Sequence, residues 1–193
     1  MGKDQQNFDL FGSAGAHDPG GKTRLRWPAG SLVTSRFSDC GLYRYELSEI
    51  WDPRKPLIMW LLMNPSVADT QFRDPTLAKT GKYSFAWGYG GQLIGNVHAY
   101  RATNSRQLLS VEDPIGPEND SALDTMASRA SIVVLAYGKP PNVALRARGP
   151  AVAARLQANG AKLFVLGVSD DGAPKHPLYL ADSLQPLPWT VAA

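Results

Sequence analysis

The sequence is poor in the residues that build covalent or metal-braced frameworks. One cysteine, Cys40, excludes an intramolecular disulfide and any multi-cysteine zinc or iron–sulfur centre. The three histidines stand far apart, at His17, His98 and His176, which argues against a histidine-rich metal site. We therefore expect no metal and no cofactor. No apolar run approaches the roughly 20 residues that cross a bilayer, and the polar N-terminus lacks a signal peptide's hydrophobic core. The expectation is a cytoplasmic protein with no membrane partner. Charge is also scarce: 19% charged residues and a net charge of +3 permit a polyanionic partner without demanding one. A glycine-rich phosphate loop is missing, because Trp87-Gly88-Tyr89-Gly90-Gly91 stands before a predicted strand, where such a loop would follow one.

What is there describes an ordinary globular chain. With 193 residues, 44% of them hydrophobic, it can bury one substantial core. We expect a single domain over 31–193 that is monomeric. Residues 1–30 are expected to be a flexible tail, since glycine, polar residues and breakers such as Asp18-Pro19-Gly20-Gly21 dominate them. One island in it, Gln6-Asn7-Phe8-Asp9-Leu10-Phe11, resembles the short peptides by which bacterial DNA-processing proteins dock on the sliding clamp. That resemblance implies a clamp contact through Phe8, Leu10 and Phe11. The alternative is that these side chains fold back onto the domain.

The run Leu57-Ile58-Met59-Trp60-Leu61-Leu62-Met63 is too short for a membrane and fits a strand buried on both faces of a parallel sheet. It stops at Asn64-Pro65, where proline removes a backbone donor and forces the preceding residue into an extended conformation. Before it, residues 40–51 alternate (Leu42, Tyr43, Tyr45, Leu47, Ile50) as an early strand at a sheet edge. After it, Asp74-Pro75-Thr76 opens a helix over 76–87, with Asp74 as cap and Pro75 in the first turn. Further strands are predicted at 92–97, 131–137 and 161–167, with helices at 105–110, from about 118 to 129, and before Asn159-Gly160. Strands alternating with helices predict a three-layer α/β/α sandwich around a mostly parallel four-stranded sheet.

In open α/β sheets, ligands bind beyond the carboxyl ends of the strands. Four polar segments follow the four buried strands here: Asn64-Pro65-Ser66, then Asn96 with His98 and Arg101, then Gly138-Lys139, then Lys175-His176-Pro177. If the strands are parallel, all four meet at one edge.

Met63-Asn64-Pro65-Ser66 resembles the first motif of the uracil-DNA glycosylase superfamily, with Ser66 in place of a glycine. Asn96 is similar in placement to the asparagine with which those enzymes read a flipped base. His176-Pro177 resembles their second motif, His-Pro-Ser, with Leu178 in place of the serine. A second resemblance spans 57–180. Asn-Pro-Ser-x-Ala-Asp (64–69), Asp-Pro-Thr (74–76), Trp-Gly-Tyr-Gly-Gly (87–91), Asn-x-x-Ala-x-Arg-Ala-Thr (96–103), Asp-Pro-x-Gly-Pro-x-Asn-Asp (113–120) and Gly-x-Pro-x-His-Pro-Leu-Tyr (172–179) occur in order. This set resembles an uncharacterised bacterial and phage family, the domain of unknown function numbered sixteen forty-three, which implies no activity. The first resemblance implies a uracil-DNA glycosylase-like fold and a protein that recognises a nucleobase, hydrolysing the N-glycosidic bond of a uracil-like or modified base in DNA. The alternatives are a non-catalytic DNA- or nucleotide-binding module using the same pocket, and a hydrolase or transferase acting on a free nucleotide-like molecule.

Such hydrolysis passes through an oxocarbenium-like transition state, so a site must position water and stabilise charge on the departing base. Asn64 can orient water but cannot take its proton; Asp69 or Asp74 can. His176 can donate to a base oxygen and Asn96 can read the pairing edge. Trp87, Tyr89 or Tyr100 can stack on a flipped base, and Arg101, Lys139 and Lys175 can hold phosphates. Each has a plainer alternative. Asn64 and Asp69 can cap a turn, Asp74 a helix, His98 can be a core histidine, and Trp87 and Tyr89 can be packing residues.

Overall fold

The computed structural model describes residues 24–66, 68–140 and 142–190. The expected clamp contacts Phe8, Leu10 and Phe11 lie outside the described residues, as does most of the expected tail. In chain order the strands are β1 (Leu25–Arg26), β2 (Leu32–Phe37), β3 (Arg44–Ile50), β4 (Leu57–Leu62), β5 (Phe72–Arg73), β6 (Gly91–Asn96), β7 (Ile132–Leu135), β8 (Leu163–Val165) and β9 (Leu187–Pro188). The helices are α1 (Pro75–Ala86), α2 (Asn119–Arg129) and α3 (Arg148–Ala158), with 3-10 turns at Ser105–Ser110, Val143–Leu145 and Pro177–Tyr179.

The apolar run forms β4, and strand alternation divides its side chains between two cores. Met59 and Leu61 gather with Leu123 and Met126 of α2 and with Val152 and Leu156 of α3. Ile58, Trp60 and Leu62 gather with Leu77 and Tyr83 of α1. Helices therefore lie on both faces, which is why the strand carries no polar residue.

The sheet has the order β2-β3-β6-β4-β7-β8-β9. Strands β6, β4, β7 and β8 run parallel. Strand β3 is antiparallel to β6, β2 to β3 and β9 to β8. The expected four-stranded sheet is thus corrected to a mixed sheet of seven strands. The strand expected at an edge, β3, is interior, and β2 takes the edge outside it. The pairing of β1 with β5 makes a separate two-stranded ladder, and Trp27 Nε1 donates to the Asp69 carbonyl. Residues 24–30, expected as tail, are held against the domain by these contacts.

The connection from β4 runs through α1 on one face, and the connection from β6 runs through α2 on the other. Since β4 and β6 are neighbours, their chains leave the carboxyl edge in opposite directions. A crevice opens between them, outside the carboxyl ends of the strands. The ladder continues past both strand ends through Val97 N to Leu62 O and His98 N to Met63 O, so the crevice has a rigid floor.

Candidate functional site

A cleft of about 280 Å³ lies beyond the carboxyl ends of β4 and β6. Asn64, Ser66, Asp74, Asn96 and His176, all singled out from the sequence, line it together with Arg44. Each is positioned by a local feature of the chain. Asn64 Nδ2 donates to the carbonyls of Ala102 (2.5 Å) and Pro65 (3.1 Å). With its N–H donors engaged, the side-chain oxygen is the group left to offer a ligand. Ala102 N also donates to Pro65 O, which ties the segments after β4 and β6 together; Pro65 serves here as buried scaffold.

Asp74 caps α1, its Oδ1 accepting from Leu77 N at 2.8 Å. The second carboxylate oxygen has no partner among the described residues. Negative charge at a helix N-terminus is favoured by the macrodipole. His176 caps the 3-10 turn Pro177–Tyr179, its Nδ1 accepting from Leu178 N at 3.4 Å. A neutral ring accepting at Nδ1 carries its proton on Nε2. Burial lowers the pKa of His176, with Asp74 opposing, so the ring is a neutral donor at pH 7. A Cβ on Gly138 would come within 3.4 Å of His176 Cβ, so the turn after β7 presses against the histidine.

Asn96, the last residue of β6, is 2% exposed. Its Oδ1 accepts from Arg44 Nη2 at 3.3 Å, and its Nδ2 is buried without a partner among the described residues. Arg44, the first residue of β3, is 3% exposed. Its Nη1 donates to the Ala68 carbonyl at 2.7 Å, and it forms no ion pair among the described residues. Burial lowers its pKa to about 10, with Asp74 raising it, Arg101 lowering it and Asp69 raising it. It is cationic at neutral pH. Alternation hides Arg44, because a charged residue in an alternating edge strand reads as the solvent face. An interior β3 buries both faces, and the signal was that Arg44, Glu46 and Glu49 sit in a strand otherwise apolar enough for the core.

The other candidates lie elsewhere. Asp69 closes a tight turn, its Oδ1 accepting from Gln71 N and Phe72 N at 2.8 Å each, and it is not among the lining residues. Trp87 stacks on Tyr83 and Trp60 with ring centroids 5.2 and 5.6 Å apart and donates to Leu184 O. Tyr89 is packed against the same core, and burial raises its pKa. His98 is 2% exposed, with its pKa lowered to about 4 chiefly by burial and also by Arg148. Tyr100 packs edge-on to Tyr43. Arg101 lies over the Phe37 ring and donates to Gly41 O. Lys139 pairs with Asp171 at 2.5 Å in a second, more apolar hollow lined by Tyr137, Pro140 and Trp189. Lys175 is exposed beside His176.

The cleft therefore presents a carboxylate oxygen and an amide oxygen as acceptors, and an imidazole N–H, an amide N–H and a guanidinium as donors. That mixture matches a polar heterocycle better than an apolar ligand. Among the described residues no group of three or more His, Cys, Asp or Glu side chains gathers as for a metal ion, and no helix is long and apolar enough to cross a membrane.

A family model described as "Protein of unknown function (DUF1643)" matches residues 44–178. Every residue lining the cleft falls inside that span, from Arg44 to Leu178, whereas Trp189 of the second hollow does not. No curated protein and no solved structure matches the chain.

Proposed function

Since the chain belongs to the DUF1643 family, whose description names no activity, we propose a function from the cleft itself: recognition of a nucleobase, in DNA or in a free nucleotide, with hydrolysis of its N-glycosidic bond. The observation that carries this reading is the meeting of Asn64, Asp74 and His176 in one cleft beyond the carboxyl ends of β4 and β6. The Asn-Pro-Ser segment after the first parallel strand and His-Pro after the last support a uracil-DNA glycosylase-like arrangement.

The roles follow from the free atoms. Asp74, through the oxygen not engaged by Leu77 N, accepts the proton of an attacking water. Asn64 holds that water through its side-chain oxygen. His176 donates from Nε2 to an oxygen of the departing base and stabilises the charge that develops there. Lys175, exposed and next in sequence to His176, meets a phosphate. Asp69, occupied in its turn and outside the cleft, is replaced by Asp74 as the base.

Incubation with oligonucleotides and mononucleotides bearing uracil, hydroxymethyluracil and other modified bases tests the reading. Base release is expected, falling at least about a hundredfold in Asn64→Ala, Asp74→Asn and His176→Ala. A second reading, a binding module without turnover, draws on the fact that Asn64 and Asp74 both hold main-chain groups in place. It predicts tight binding with no base released. Neither binding nor release from any substrate would contradict both.

A further inference from the structure

The guanidinium of Arg44 stands at the cleft without an ion-pair partner among the described residues, with Asp74 and Asp69 acting on it only from beyond contact. Buried charges are nearly always paired, because an isolated ion loses far more hydration than neutral dipoles return. Arg44 is 97% covered, yet its partners are two neutral oxygens, the Ala68 carbonyl and Asn96 Oδ1. Its Nε has no partner among the described residues. Arginine has donors only, so Asn96 must turn its oxygen toward Arg44, which leaves Nδ2 as a second unpartnered donor in the same cluster. Both residues line the cleft. The cleft's carboxylate, Asp74, does not reach ion-pair distance and stands against the α1 N-terminus, whose dipole offsets part of its charge.

We propose that Arg44 and Asn96 form an oxyanion-binding floor, so that the compound held in the cleft carries a carboxylate or phosphate group at its buried end. Either group supplies several acceptor oxygens together with the missing counter-charge, and the arginine–oxyanion hydrogen bond is among the stronger ones available to a protein. This rests on the nucleobase reading and narrows it: the substrate becomes a free nucleotide or a carboxylated base rather than a base swung out of a DNA strand. Asn64 and His176 then meet the base, while the anionic end lies against β3 and β6.

Calorimetric titration with deoxyuridine against deoxyuridine monophosphate, and uracil against orotate, reads the floor directly; inorganic phosphate alone is the fifth probe. The anionic member of at least one pair is expected to bind roughly ten- to a hundredfold tighter, as one or two hydrogen bonds to a charged group provide. The pair that discriminates identifies phosphate or carboxylate as the natural group. Arg44→Met should erase the ratio. Should that variant fail to fold, Asn96→Asp supplies an internal counter-charge and should erase the ratio in a folded protein; a purely structural Arg44 would leave the ratio unchanged. Equal binding of charged and neutral members overturns the oxyanion floor and leaves the nucleobase reading standing. Phosphate binding with no response to bases or nucleosides sustains the floor and overturns the nucleobase reading. Silence of all five compounds overturns both.

Discussion

Asp69 and Asp74 are five positions apart, and both can cap or catalyse; their hydrogen bonds assign them differently. Asp69 Oδ1 serves two backbone N–H groups in a turn, whereas Asp74 keeps one oxygen toward the cleft. Asp74→Asn preserves a side-chain oxygen for the cap but removes the base, so base release should vanish while the thermal midpoint moves little. Asp69→Ala should do the reverse, lowering stability by about 1–2 kcal/mol and leaving turnover in the folded fraction. The opposite pattern would return Asp69 to the mechanism. His98 makes a separate prediction. Its pKa is lowered to about 4 in the fold from an ordinary value near 6.5. Between these values the unfolded chain binds a proton that the native state refuses, so stability falls as pH drops through about 6.5 and levels near 4. The loss attributable to this group is about 3 kcal/mol, and His176, also lowered by burial, adds in the same sense. Denaturant titrations of the native chain and His98→Gln across that range should show a shallower slope in the variant. Asn64, Asp74, Asn96 and His176 were legible because each closes or soon follows a strand or opens a helical turn. Arg44 was not, since its burial depends on which strands flank β3, a long-range fact that alternation does not encode.

Among the elements, three of the four parallel strands, β4, β7 and β8, could be read from continuous apolar runs, which need both faces covered, whereas β6 offers only Leu93 and Ile94 between glycines and polar residues. Strand β2 could not: its exposed and half-buried alternation is weak, and it gains its place by pairing with β3. Strand β9 is a two-residue pairing with β8, below any periodic signal. Helix α3 begins only at Arg148 because the segment after Pro140 first forms the turn Val143–Leu145. The glycines at 87–91, once a phosphate loop is set aside, have a packing reason. The carbonyl of Gly90 receives the N–H groups of Trp51 and Asp52, and its own N–H reaches Pro56 O. A Cβ there would run into the Asp52 carbonyl and stand 2.8 Å from Lys55 Cβ. Backbone cannot yield as a flexible side chain can. Gly90→Ala should therefore cost about 3 kcal/mol, seen in the denaturation midpoint, while Gly88→Ala, with no atom within 4 Å but a φ of +83°, should cost about 1 kcal/mol. Equal, negligible effects would mean that this corner is looser than described.

At the scale of the whole molecule, the cleft exists because β4 and β6 are adjacent while their following helices cover opposite faces. The approximate place of the site could be anticipated from four parallel strands alone. Its wall could not, because Arg44 arrives on an antiparallel strand that makes the sheet mixed. The most direct measurement is a crystal structure of the protein soaked with deoxyuridine monophosphate. A base ring against Asn64 and His176, with its glycosidic carbon facing Asp74, is the expected result. A nucleotide seated beside Trp189, or none bound in crystals that hold the cleft open, would contradict the proposed site.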